Sequence, residues 1–164
     1  MRKKGVYILK NYPIRISAKA IIISNDRLLT IKHEQNNEKY FTLPGGGQNH
    51  NEDLKSALIR ECLEEVGAEI AIDDLVFVRD YIADNHEFAK DDPGFHQVEL
   101  MFECSILNSS TLHPQSEPDK TQIGIEWISL DDIQNLPLYP KVLKEEIINL
   151  QNRCVKHIYL GDVN

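Results

Sequence analysis

From Ile14 to Ser24 the sequence IRISAKAIIIS alternates polar with apolar residues and then becomes continuously apolar. That is the pattern of a strand enclosed on both faces at its far end. Asn25-Asp26 supplies a turn, and Leu28 to Lys32 returns as the hairpin partner. The polar stretch His33 to Lys39 reads as a loop, either beside a substrate or simply solvated, before Tyr40-Phe41 opens a short strand that ends at Pro44. A helical pattern begins near Asn51, which is of a type that caps helices, with Glu52 and Asp53 in the first turn, and stops at Gly67.

Beyond it, Glu69 to Ile72, Leu75 to Ala83 and Phe95 to Leu107 read as three strands. The connector 84–95 carries Asp84, His86, Phe88, Asp91, Asp92 and Phe95 and is longer than a hairpin needs, so it is either a substrate-facing lid or a tolerated insertion. A second polar connector, Asn108 to Lys120, precedes a strand from Gln122 to Ile128. Ser129 with Asp132 predicts a short capped helix over DDIQNL. Pro140 opens a helix with apolar residues at Val142, Leu143, Ile147, Ile148 and Leu150. The patterning has no internal repeat and by itself gives the class α+β, in one domain.

The helix from Asn51 to Gly67 carries the chemistry. Glu61, Glu64 and Glu65 stand at i, i+3 and i+4, within an arc of roughly 100° on one face. Leu54, Ala57 and Leu58 lie on the same side, so the carboxylates extend an apolar stripe. Like charges this close repel, and divalent cations relieve that repulsion; oxygen ligands suit Mg²⁺ or Mn²⁺. A glutamate-rich solvated face is the alternative. The turn Leu43-Pro44-Gly45-Gly46-Gly47 weighs against it, because its backbone can approach a ligand closely.

Composition narrows the field. At 164 residues, 41% hydrophobic and 27% charged, the chain fits one soluble domain. No apolar run approaches the roughly 20 residues that span a bilayer, and the basic start MRKKG has no sustained apolar segment behind it, so a cytoplasmic protein without a membrane partner is expected. Cys62, Cys104 and Cys154 are widely spaced, which suggests reduced, packed thiols and no zinc site. The six histidines also lack metal-ligand spacing. A formal charge of −8 argues against a long nucleic-acid partner, so a phosphate substrate must be held locally through metal.

Gly46, Glu52, Arg60, Glu61, Glu64, Glu65 and Gly67 together resemble the Nudix box, in which G, five residues, E, seven residues and R-E-U-x-E-E-x-G-U follow in order, U being a bulky aliphatic residue. Every fixed position is matched; Cys62 and Ala68 stand at the two U positions, which concerns packing and not chemistry. The resemblance implies a single Nudix hydrolase domain over residues 1–164, folded as an α/β/α sandwich with a mixed sheet between helices. It implies Mg²⁺- or Mn²⁺-dependent attack of water on phosphorus in a small nucleotide: ADP-ribose, a nucleoside triphosphate or a dinucleoside polyphosphate. By the same resemblance Glu61 and Glu65 ligate metal with Glu64 assisting, joined by the main-chain carbonyl of Gly45 or Gly46. Arg60 has no reason to bind a cation but can pair with Glu52 or Glu64 and hold a carboxylate in place.

The general base is less defined. The resemblance leaves it either as a glutamate of the box or as an acidic residue of a later strand or loop, where Glu99, Glu103, Glu117, Asp119 and Glu126 all qualify by type; Glu99 is preferred because it lies near the strand start, where the connector 84–95 enters, and the alternative for it is an exposed sheet residue. The candidate catalytic set is thus Arg60, Glu61, Glu64, Glu65 and Glu99. Tyr40, Phe88, Phe95 and Tyr139 are candidates for stacking on a base. Two other functions are weighed: a Nudix-fold module that senses a nucleotide without cleaving it, and processing of RNA 5′-triphosphate ends. Kept glutamates argue against the first and the acidic balance against a long RNA contact surface in the second. An apolar helix face leaves a homodimer open.

Overall fold

The computed structural model describes residues 13–87, 89–108, 112–114 and 120–164. Strand β1 (Arg15–Ser24) runs into β2 (Arg27–Gln35) through Asn25 and Asp26, whose φ values of 50° and 57° form the left-handed turn that suits a two-residue hairpin. A second such turn at Asn36 and Asn37, with φ of 54° and 66°, joins β2 to β3 (Glu38–Thr42). The stretch His33 to Lys39 is therefore not a loop. Ladder pairs run from Ile31 with Thr42 to Gln35 with Glu38. Two asparagines that tolerate positive φ let the strands continue almost to the turn.

β1 and β2 pair only at their turn, Ile23 with Leu28 and Ser24 with Arg27, and then diverge. The glycine-rich stretch fills the opened edge. Ala20 N donates to Pro44 O at 2.9 Å, Ala18 N to Gly46 O at 3.0 Å, and Gln48 N to Ile16 O at 3.0 Å. On its other edge β1 pairs in parallel with β5 (His96–Ile106), which lies antiparallel to β4 (Ile70–Ile82). β6 (Gln122–Ser129) adds to β2, and β7 (Tyr159–Asp162) adds in parallel to β4. The seven strands form one mixed sheet.

The two strands expected at Glu69–Ile72 and Leu75–Ala83 are the single strand β4. Its register shifts between Ile72 and Leu75 and again before Phe77, so the exposed pair Asp73-Asp74 is absorbed as an irregularity instead of breaking the strand. β7 went unrecognised in the sequence, since Tyr159-Leu160-Gly161-Asp162 is too short for alternation and holds a glycine with φ of 83°.

Helix α1 (Leu54–Val66) starts two residues later than the sequence predicts. Asp53 is the cap, its carboxylate accepting from the Lys55 and Ser56 amides at 3.0 Å, while Asn51 lies in the preceding turn with φ of 65°. Glu52 consequently stands before the helix. Gly67 ends it as expected, at φ 67° and ψ 23°, donating to Leu63 O at 3.1 Å. Helix α2 (Leu143–Gln151) begins after a turn that Pro140 opens, with Leu143 N donating to Pro140 O at 3.1 Å. The helix foreseen over DDIQNL is one 3₁₀ turn, Ile133–Asn135, without a side-chain cap from Asp132.

Alternation along β1 sorts the core into two halves. Ile21 points to one side with Phe77, Met101 and the α2 residues Leu143, Ile147 and Leu150. Ala18, Ala20 and Ile22 point to the other with Leu58, Cys62 and Val66 of α1. The mixed sheet between helices is thus the arrangement the residues build, and the two alanines let α1 approach closely. Full burial of Leu58 contributes about 1.5–3 kcal/mol. All three cysteines are free; burial pushes the Cys104 thiol up to about 12 and that of Cys62 higher, which makes both unreactive packing groups. Among the described residues no helix is long and apolar enough to cross a membrane.

The connector 84–95 is tied down at its start. Asp162 of β7 accepts from the Ile82 amide at 3.0 Å, from His86 Nε2 at 2.8 Å and from Asn85 Nδ2 at 2.6 Å. Burial pushes the Asp162 carboxyl up, but these donors outweigh it and hold the group at about 2. Glu87 pairs with Lys141, which brings its carboxyl down to about 2 as well. Phe88 lies outside the described residues.

Gly67→Ala tests the end of α1. A β-carbon there would lie 2.3 Å from the His113 carbonyl oxygen in addition to the left-handed backbone. The substitution is expected to lower unfolding stability by roughly 1–3 kcal/mol in urea; an unchanged midpoint would mean that the helix end is not packed on residues 112–114.

Candidate functional site

Because the stretch from Pro44 to Gln48 is a rung on β1, the start of the turn and the end of α1 meet. Gly45, at φ 120°, would place a β-carbon 2.3 Å from Ala18 O. A β-carbon on Gly46 would lie 2.5 Å from the Glu61 carboxylate. The missing side chain at Gly45 therefore lets the turn lie against β1, and that at Gly46 makes the room in which the Glu61 carboxylate rests. Glu65 Oε2 accepts from the Gly45 amide at 2.8 Å, the Gly45 carbonyl accepts from the Lys19 ammonium, and the Gly46 carbonyl is taken up by Ala18 N.

These groups line a cavity of about 320 Å³. The odd-numbered residues of β1, namely Arg15, Ser17 and Lys19, form one wall and Gln97, Glu99 and Met101 of β5 another. Arg79 of β4 completes the charged lining, which pairs three cations with the carboxylates of Glu61, Glu65 and Glu99. His33 is also present. Its ring stacks on Tyr40 at 4.8 Å and meets Thr121 Oγ1 and Thr42 Oγ1 at 3.0 and 2.9 Å.

Arg60 ties the acidic residues together. Its Nε and Nη2 reach the two oxygens of Glu52 at 2.9 and 3.0 Å, Nη1 reaches Glu61 Oε1 at 2.7 Å and Glu64 Oε2 at 3.3 Å, and Nη2 also donates to Gly47 O at 3.1 Å. The expected pairing with Glu52 or Glu64 is thus with both, and with Glu61 besides. The hydrogen bonds from Arg60, followed by that from the Asn49 amide, hold the Glu52 carboxyl below its usual range; the same contacts raise the guanidinium further.

The three glutamates do not point into one volume. Glu61 and Glu65 line the cavity, whereas the Glu64 side chain, 44% exposed, turns to Arg60. Helical spacing puts all three on one arc, but the guanidinium four residues back draws Glu64 along the helix surface. Among the described residues no three Asp, Glu, His or Cys side chains converge tightly enough to hold a metal ion. The donors that α1 and the glycine turn bring to the cavity, the carboxylates of Glu61 and Glu65 beside the Gly45 carbonyl, are all hard oxygens and suit Mg²⁺ or Mn²⁺.

Of the candidate bases on the later strands and loops, Glu99 alone among the described residues lines this cavity, and it is buried at 5% exposure, not an exposed sheet residue. Arg79 Nε donates to its Oε2 at 2.5 Å and Gln97 Nε2 to its Oε1 at 2.8 Å. Arg79 Nη1 in turn donates to Val163 O at 2.5 Å. Glu103 lies 3.8 Å from Arg153 and Glu126 pairs with Lys32 at 2.6 Å, both away from the cavity. Glu117 and Asp119 lie outside the described residues.

Sequence reasoning missed Arg15, Ser17, Lys19 and Arg79. The signal was present in R-I-S-A-K-A, where every second residue is polar inside a strand otherwise buried on both faces. Ser17 is 1% exposed and its Oγ has no hydrogen-bond partner among the described residues. Buried hydroxyls are rarely left in that state unless something else satisfies them.

A sequence model of the NUDIX domain matches residues 13–149. A comparison with curated proteins gives no match. Among solved structures, a MutT NUDIX hydrolase from Burkholderia pseudomallei is 27% identical with a TM-score of 0.61, covering 82% of this chain and 98% of that one. A NUDIX hydrolase from Nitrosomonas europaea, 18% identical with a TM-score of 0.68, covers 87% and 92% of the two chains. An ADP-ribose pyrophosphatase from Streptococcus suis, 20% identical with a TM-score of 0.60, covers 93% and 100%. The latter two likenesses show a shared fold.

Two substitutions probe the cavity without touching a carboxylate. Gly46→Ala pushes the Glu61 side chain aside, so it should leave stability within about 1 kcal/mol of the parent while raising the Mg²⁺ concentration for half-maximal thermal stabilisation by about tenfold. Arg60→Lys keeps the charge but loses the planar fork; its melting temperature should stay within about 4 °C and its Mg²⁺ requirement rise roughly tenfold to a hundredfold. Parental titration curves for both would show that neither Glu61 nor its clamp bears on cation binding.

Proposed function

The chain belongs to the Nudix family of phosphoanhydride hydrolases, and we propose that it cleaves a nucleoside diphosphate linked to a second group, using a divalent cation held by Glu61, Glu65 and the Gly45 carbonyl. The observation that carries this reading is the meeting of Glu61 and Glu65 with Arg15 and Lys19 in one cavity: acidic donors for a cation beside fixed positive charge for phosphate oxygens. Of the two candidate carbonyls, Gly45 is preferred because its oxygen already faces a cationic group, whereas that of Gly46 serves the β1 ladder. When bound, Mg²⁺ or Mn²⁺ neutralises phosphate oxygens and so lowers the barrier to nucleophilic attack on phosphorus.

The chain's own groups divide the remaining work. Arg60 restrains Glu61 and Glu64 against mutual repulsion and fixes their direction. Lys19 and Arg15 pair with the non-bridging oxygens of the diphosphate. Glu99 accepts the proton of the attacking water: a carboxylate offers about four lone-pair sites, and Arg79 and Gln97 occupy two. Water adds across the phosphoanhydride, one P–O bond forms as another breaks, and two phosphate-terminated products leave. ADP-ribose, the substrate class in the name of one structural relative, is the first compound to try, with nucleoside triphosphates and dinucleoside polyphosphates beside it.

Glu65→Gln should lower turnover by at least about a hundredfold and abolish the rise in melting temperature that Mg²⁺ gives the parent by binding the folded state. Circular dichroism checks the fold and product release the rate. Full turnover in this variant would sink the assignment, and tight nucleotide binding by the parent with no product would favour a sensing module instead.

A further inference from the structure

Three cavities adjoin across this face. The central one holds the charged groups just described. It shares Tyr40 and Tyr139 with a second cavity of about 520 Å³, whose walls include Glu38, Lys39, Asp91 and Asp92. It shares Arg15 and Phe95 with a third of about 640 Å³, which Pro13, Pro93 and the same two aspartates border. Both flanking cavities fall within the usual size of small-molecule sites.

We propose that the Tyr40–Tyr139 cavity seats an uncharged, hydroxyl-rich group at one end of the diphosphate, and that longer phosphate chains are rejected there. This rests on the central cavity being the phosphate site.

Charge is sorted between the cavities. The central one sets Arg15, Lys19 and Arg79 against Glu61, Glu65 and Glu99, to which the proposed cation adds positive charge, while the Tyr40–Tyr139 cavity sets three carboxylates against Lys39 alone. A third phosphate extending that way meets Glu38, Asp91 and Asp92, and one extending the other way meets the same aspartates beyond Arg15. Ionised carboxylates only accept hydrogen bonds, so the partner they favour is a group rich in hydroxyl donors.

The aromatic residues of the Tyr40–Tyr139 cavity are also poorly placed to stack on a base. Tyr40 already stacks on His33, Lys141 Nζ sits 5.3 Å from the Tyr139 ring centre, and Tyr81 carries both the His86 ring and the Arg79 guanidinium. Phe95 makes only a tilted contact with Tyr81, at 6.2 Å, among the described residues, so the nucleobase belongs on the Phe95 side. Between the two ends, the buried Ser17 hydroxyl, unpartnered among the described residues, donates to a phosphate oxygen, which supplies the bond it lacks.

The test compares ADP-ribose with ATP as Mg²⁺-dependent substrates of the full chain. ADP-ribose should be favoured at least about tenfold in kcat/KM. Replacing Glu38, Asp91 and Asp92 together by Gln, Asn and Asn should raise the KM for ADP-ribose about tenfold and shrink that preference. Should the triple variant not fold, Glu38→Gln alone should move the ratio the same way by about threefold. Equal or better use of ATP by the parent, or a preference unmoved by the variants, would overturn the proposal while leaving the hydrolase reading intact. If neither compound is cleaved, that reading fails, and equilibrium binding to the parent decides between subsites: tighter ADP-ribose than ATP supports the hydroxyl-rich cavity, and the reverse order refutes it.

Discussion

The site depends on one backbone arrangement, the laying of Pro44 to Gln48 along the edge of β1. Those hydrogen bonds bring a main-chain carbonyl and an amide against the last turns of α1, and they can form only where β1 has parted from β2. Small residues are then required on three sides. Alanines at positions 18 and 20 admit the helix, Gly45 lets the turn lie against the β1 backbone, and Gly46 admits the Glu61 carboxylate. A methyl group at position 46 meets the end of a side chain, whereas one at position 45 meets backbone and strains the turn itself.

Electrostatic crowding is the second constraint. Glu52, Glu61 and Glu64 would repel one another were Arg60 not held among them by five hydrogen bonds. A lysine in its place offers the charge without the fork, and a leucine neither. The guanidinium thus takes Glu64 out of the cavity while keeping Glu61 in it, which shows why a wheel diagram of the helix overstates the number of carboxylates facing the site.

What was legible in the sequence was what is local. Spacing in the box helix set Glu61 and Glu65 on the right face, and Gly67 ended the helix where a left-handed residue was needed. Element boundaries failed where two residues of similar chemistry competed, as Asn51 and Asp53 did for the cap, or where a β-irregularity imitated a loop, as at Asp73-Asp74. The half of the site carried by Arg15, Lys19 and Arg79 was invisible for a different reason. Each sits on a strand whose neighbour is remote in sequence, and no spacing rule links Arg79 to Glu99 or Ser17 to Gly47 before the sheet is known.

That difference in sequence separation has a kinetic side. The glycine turn and α1 can associate across a loop of about twenty residues, a small loss of chain entropy, as the contact between Gly45 and Glu65 illustrates. Arg79 and Glu99 are no further apart in sequence than Gly45 and Glu65, but Arg79 takes its second anchor from Val163 and the connector takes its own from Asp162, so this side also draws on much longer closures. Non-local pairing of this kind is slow. Loss of the contacts made by residues 162 and 163 would free the second anchor of Arg79 and the hold on the connector while leaving the contact between Gly45 and Glu65 untouched, so the two walls of the cavity rest on chain segments of very different span.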